Sequence, residues 1–195
     1  WKKEWRARNA MIEQKFGPRR CRDTRKPRAD QCPDVVFYRC RSCNSLFPVT
    51  GGQALEEKKI LCCNVEAERL APTDAGEAKE ILELSYQITG GYNDNAVKVS
   101  WKTKKQECAP QWIYLKTFTG GYLKYVMKEK RSPMVFALAD TDAFCYCDED
   151  PCLECVFRCK RGFAVYAYSE GTGLLEMPLD RMTAHWQTRE KEAER

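Results

Sequence analysis

Apolar and polar residues alternate with a period of two over most of the chain's middle, and this pattern predicts strands. Leu82, Leu84, Tyr86 and Ile88 alternate with Glu83, Ser85 and Gln87. Val97, Val99 and Trp101 alternate with Lys98, Ser100 and Lys102, and the Gly/Asn-rich stretch between the two runs predicts a hairpin. Further strands are expected at Asp34–Tyr38, around Trp112–Phe118, after Gly120-Gly121 at Leu123–Met127, at Met134–Ala139 and at Phe163–Tyr168. Helical spacing occurs only at the ends. Trp1, Trp5, Ile12 and Phe16 share one helical face before Gly17-Pro18, and Leu179, Met182 and Trp186 share another after Pro178. The expected fold is therefore mainly β. An antiparallel meander of this many short strands favours a closed, lipocalin-like barrel with a C-terminal helix and a basic N-terminal helical extension, because closure removes sheet edges.

Charge divides the chain further. Residues 1–31 hold 11 Lys or Arg against 4 Asp or Glu, net +7, and the remainder holds 22 against 24, net −2. The division expected is a basic, Cys-containing extension at 1–54, a barrel with its helix at 55–187 and a charged tail at 188–195. A basic arm on a slightly acidic body predicts docking, through Trp1, Trp5, Ile12 and Phe16, onto a larger protein complex or a membrane surface, and disfavours nucleic acid. The chain begins at Trp1, so any targeting segment is expected to have been removed.

One histidine, His185, excludes sites that need two and most nucleophilic triads. Asp140 and Asp142 read as turn formers, and no catalytic residue is assigned. Twelve cysteines make an oxidising compartment the expectation, with disulfides at Cys21, Cys32, Cys40, Cys43, Cys62, Cys63, Cys108, Cys145, Cys147, Cys152, Cys155 and Cys159. The adjacent pair Cys62-Cys63 is expected to reach two different partners, since neighbouring cysteines bond with strain. The alternative for Cys40-x-x-Cys43 and Cys152-x-x-Cys155 is two halves of a four-cysteine zinc site, as in a ribonucleoprotein assembly. An acidic stretch, Asp148-Glu149-Asp150, beside the second pair argues against RNA.

The runs Val135–Phe144 and Ala164–Ser169 resemble the last strands of lipocalins. Glu83–Ile88 and Gly121–Tyr125 look like strands of the violaxanthin de-epoxidase-like lipocalin domain. That resemblance implies a thylakoid-lumen protein, or a secreted one if only the superfamily holds. It also implies a xanthophyll-directed oxidoreductase using ascorbate. The acid expected before Cys62 is missing, as Lys58-Lys59-Ile60-Leu61 stands there. The reading drawn is therefore non-catalytic: a photosystem-type subunit, or a binder of a carotenoid or lipid. Tyr86, Trp101, Trp112, Tyr114, Tyr122 and Tyr125 would line its cavity, or else fill the barrel.

Overall fold

The computed structural model describes residues 32–51, 58–90, 95–139, 142 and 160–179. Among them the chain is mainly β, and no helix is long and apolar enough to cross a membrane. The expected helices over Trp1–Phe16 and after Leu179, with His185 and Cys21, Cys145, Cys147, Cys152, Cys155 and Cys159, lie outside the described residues.

Thirteen strands are described: β1 Val35–Arg39, β2 Leu46–Thr50, β3 Leu61–Cys62, β4 Val65–Glu66, β5 Glu68–Leu70, β6 Pro72–Asp74, β7 Leu82–Thr89, β8 Ala96–Thr103, β9 Trp112–Thr117, β10 Gly120–Tyr125, β11 Met134–Ala137, β12 Ala164–Ser169 and β13 Gly173–Pro178. They form open sheets in the orders β2-β1-β5, β10-β9-β12-β13-β6 and β11-β8-β7, with β3-β4 as a separate hairpin. All pairings are antiparallel except β13 with β6. The expected closed barrel is thus corrected to stacked open sheets. Alternation along a strand fixes which face is apolar; it does not say whether the outer strands of a sheet meet.

The expected hairpin forms between β7 and β8, Leu82 facing Thr103 and Thr89 facing Ala96. Its inward face supplies Leu82, Val97, Val99 and Trp101 to the main core, against Ile113, Leu115, Val165, Ala167 and Leu175 of the five-stranded sheet. The other face of that sheet is also covered. Trp112, Tyr114, Tyr166 and Tyr168 pack there around Phe37 of β1, whose ring centroid lies 5.1 to 5.2 Å from those of Trp112, Tyr114 and Tyr166. Every residue of β12 is consequently buried, the burial expected of a strand with neighbours on both faces. β1 and β2, assigned from sequence to the extension, form a layer on this sheet.

The turn joining β9 to β10 is Phe118-Thr119, since Gly120 already pairs with Thr117. Asp142 is buried and accepts hydrogen bonds from Thr119 N (2.9 Å), Thr119 Oγ1 (2.6 Å) and the Tyr122 hydroxyl (3.0 Å), so it fixes this turn from outside it. The two glycines open β10. Gly121 lies so close to Tyr114 that a Cβ would overlap the phenol ring.

Candidate metal centre

The odd residues of β1 face the aromatic cluster. Its even residues, Val36 and Tyr38, face the other way onto Ala67, Phe47, Val49 and Ile60. Cys40 follows on that second face and is fully buried. Its amide donates to Ser45 O (3.0 Å) and its carbonyl accepts from Asn44 N (2.9 Å), so Cys40–Ser45 is a tight knuckle, with Asn44 at φ +61°. This knuckle turns the Cys43 thiol back beside Cys40.

The second pair arrives on a hairpin. Leu61 faces Glu66 and Cys62 faces Val65, with Cys63 and Asn64 as the two turn residues at φ +51° and +59°. Positive φ at both central positions is the turn type whose twist matches the flanking strands, and Asn suits it. A cysteine there is unusual, since side chains other than Gly, Asn and Asp rarely take this conformation. Ile60 O accepts from Ala67 N (2.8 Å) and closes the hairpin base. The next residues, β5, pair with β1 so that Arg39 faces Glu68, which brings the hairpin tip over Cys40. Arg41 grips the Glu68 carboxylate with two hydrogen bonds of 2.8 and 2.7 Å across the same junction.

The four Sγ atoms of Cys40, Cys43, Cys62 and Cys63 all lie within 4.8 Å of one another. Cys43 Sγ to Cys62 Sγ is 3.5 Å and Cys62 Sγ to Cys63 Sγ is 3.9 Å. A disulfide would need ~2.05 Å. Four thiolates at ~2.3 Å from a tetrahedral ion stand ~3.8 Å apart, so the donor set fits a metal. Cys40, Cys43, Cys62, Cys63 and Cys108 are free thiols, where pairing was expected. Cys62 and Cys63 go to one site rather than to two partners. The partner of the Cys40/Cys43 pair is this neighbouring dipeptide; Cys152 and Cys155 lie outside the described residues.

The electrostatics favour a cation. Hydrogen bonds from Ser45, then from the Cys62 and Cys40 thiols, bring the Cys43 thiol down to about 6. The Cys62 thiol is pushed up to about 12, first by its hydrogen bond to Cys43 and then by burial, and the Cys63 thiol is raised chiefly by Cys43. One thiolate is thus held ready, and further negative charge beside it is opposed until a cation arrives. Cys43 and Cys63 are exposed, so the centre opens on solvent on one side.

The aromatic residues expected to line a cavity are distributed over the fold. Trp101, Tyr86 and Tyr122 belong to the main core or pack against it, Trp112 and Tyr114 belong to the Phe37 cluster, and Tyr125 is 60% exposed. They do not converge on one cavity.

No protein-family model matches the chain, and no curated protein matches its sequence. Among solved structures, the fold is similar to that of the superoxide reductase from Treponema pallidum, at 16% identity and a TM-score of 0.50, over 74% of this chain and 98% of that one. At this identity the likeness is one of fold. It overturns the lipocalin and violaxanthin de-epoxidase resemblance, whose short strand motifs are common to many half-buried antiparallel strands. The reading as a carotenoid- or lipid-binding, thylakoid photosystem-type protein falls with it, for it rested on the barrel.

Proposed function

We propose that the chain is a metalloprotein that holds one transition-metal ion on Cys40, Cys43, Cys62 and Cys63 and passes single electrons through it. The observation that carries this reading is the convergence of four thiol sulfurs at metal-ligand spacing. Soft thiolate donors in a four-fold set select iron or zinc. Iron held by such a set would supply one-electron chemistry between its ferrous and ferric states. The protein's part is to hold the ligands: the knuckle and the hairpin turn fix two thiols each, and Arg41 with Glu68 fixes the one against the other. Exposure of Cys43 and Cys63 gives an electron donor or acceptor a short route to the centre.

Superoxide reduction is the activity named for the structural neighbour. Four protein thiolates would fill the ligand set of an ion and leave no position open for a small substrate, the arrangement of closed rather than catalytic sites. The tetrathiolate therefore supports outer-sphere electron transfer better than direct reaction with superoxide.

A structural zinc is the second reading, and one observation favours it. The layer around the site has a small core, Val36, Tyr38 and Ala67 with Phe47, Val49 and Ile60 against it, and a metal would cross-link two loops that this core holds weakly. Metal analysis with visible spectroscopy separates the two. About one iron per chain is expected, with a thiolate-to-metal absorption that bleaches on reduction and vanishes in Cys43→Ser. One zinc and no colour, even after expression in iron-rich, zinc-poor medium, selects the structural reading. Protein without metal and with these four cysteines oxidised to disulfides overturns both.

A further inference from the structure

A cleft of about 990 Å³ lies between the end of β8, the start of β9 and the chain that joins β10 to β11. Its rim is cationic, with Lys102, Lys128, Lys130 and Arg131. Two acids stand near: Glu129 on the rim itself, and Glu83, whose carboxylate is 3.6 Å from Lys102 Nζ. Lys128, Lys130 and Arg131 thus face a single acid on their own loop. The lining of the cleft is mixed and more polar than apolar; the apolar part comes from buried Trp101 and Pro110, half-buried Val126 and the exposed side chain of Met127.

The loop that carries three of the cations is pinned in place. Val126 N donates to Gln111 O (2.8 Å) at its start, and Lys130 N donates to Met127 O (2.8 Å) in its middle. Trp101 N donates to the Ser132 hydroxyl (2.9 Å) at its end. The two ends of the loop are therefore tied to β8 and to the residue before β9, and the exposed side chains of Lys128, Lys130 and Arg131 extend from it. A solvated basic face would need neither the cavity nor the pinning. The volume falls at the upper end of those found for small-molecule sites, and a lining richer in charge than is usual for them suits a ligand that is itself highly charged.

We infer that this cleft binds a small polyvalent organic anion, one that joins phosphate or carboxylate groups to an apolar body. The cations receive the charged groups, and Pro110, Val126 and Met127 receive the body. This site uses none of the thiols, so it stands or falls independently of the metal centre.

Calorimetric titration of the metal-loaded full chain tests it with three probes. ADP carries both parts, pyrophosphate the charge alone and adenosine the apolar body alone. ADP is expected to saturate with a Kd below about 1 mM, with pyrophosphate at least ~5-fold weaker and adenosine showing no saturation. Binding of ADP is expected to weaken at least tenfold in K128E/R131E, and to weaken steeply with added salt. Both substitutions are at exposed positions, so the melting temperature should not move. Failure of ADP to saturate overturns the inference, as does binding that the double variant leaves intact. Pyrophosphate binding as tightly as ADP overturns the organic part of it.

Discussion

Arg39 lies over the ring of Tyr168, 5.0 Å from its centroid, and donates a hydrogen bond to the hydroxyl of that same residue. A second guanidinium nitrogen meets Glu170 at 3.0 Å. Arg39 is the last residue of β1 and immediately precedes Cys40, whereas Tyr168 belongs to β12 of the central sheet. One side chain thus ties the segment of Cys40, the first candidate ligand, to β12, every residue of which is buried.

Replacing Arg39 with Ala removes a charged hydrogen bond and the ring contact, and should cost about 1.5–3 kcal/mol in urea unfolding. Its second effect is on the site. Metal should still bind at one per chain but leave several-fold faster to a chelator, because the knuckle loses its anchor. Arg39→Lys keeps the charge without the planar fork and should recover less than half of the loss.

Metal affinity should fall as pH falls, since the Cys62 and Cys63 protons must be displaced throughout the neutral range. Cys43, at about 6 without metal, is already ionised above that pH and protonated below it. The plot of log Kd against pH should therefore steepen by one proton below pH about 6. Ser45→Ala removes the leading cause of the low Cys43 value and should move this break upward. Chelator competition between pH 5 and 8 reads both effects; a break that stays in place in the variant would contradict the assignment.

Gly121→Ala places a methyl group into the Tyr114 ring and 2.6 Å from Leu115 O. Neither the strand backbone nor the packed phenol can retreat far, so a loss of about 1–3 kcal/mol is expected. The denaturation midpoint measures it. Full stability in this variant would mean that β9 and β10 are not in the described register.

Tyr166 is buried and donates to the Glu176 carboxylate at 2.7 Å; burial first, and that bond second, hold its hydroxyl far above the ordinary tyrosine range. In the unfolded chain it ionises near pH ~10. A pKa raised by folding adds nothing to the pH dependence below that value and makes stability fall as pH rises above it. Alkaline unfolding should start near pH ~10, and Tyr166→Phe should make it shallower. Tyrosinate absorbance during the same titration shows whether ionisation and unfolding coincide.

How much of this could be seen in the sequence differs from element to element. The β7–β8 hairpin was legible because one face of it is wet, so Lys98, Ser100 and Lys102 mark the alternation. β13 was not. Leu174 and Leu175 are both buried, on opposite faces of a sheet covered on both sides, and no alternation survives; Pro178 is the last residue of this strand. The candidate ligands were visible as a CxxC pair and an adjacent pair, with 18 residues between them. Their meeting was not visible, because it depends on β5. That strand has three residues, two of them exposed and charged, and carries no hydrophobic signal of its pairing with β1.

The double cover of the central sheet also bears on what a chelator can do. Phe37 is sunk among Trp112, Tyr114 and Tyr166 and belongs to the same short strand that leads into Cys40. The layer that bears the thiols is therefore moored to the body by aromatic packing, on the face away from the sulfurs. Stripping the ion should leave a folded protein with two loosened loops rather than an unravelled chain. Cargo and container would come apart here, and exchange of a bound ion is expected to be a local, reversible event at the rim of a body that keeps its shape.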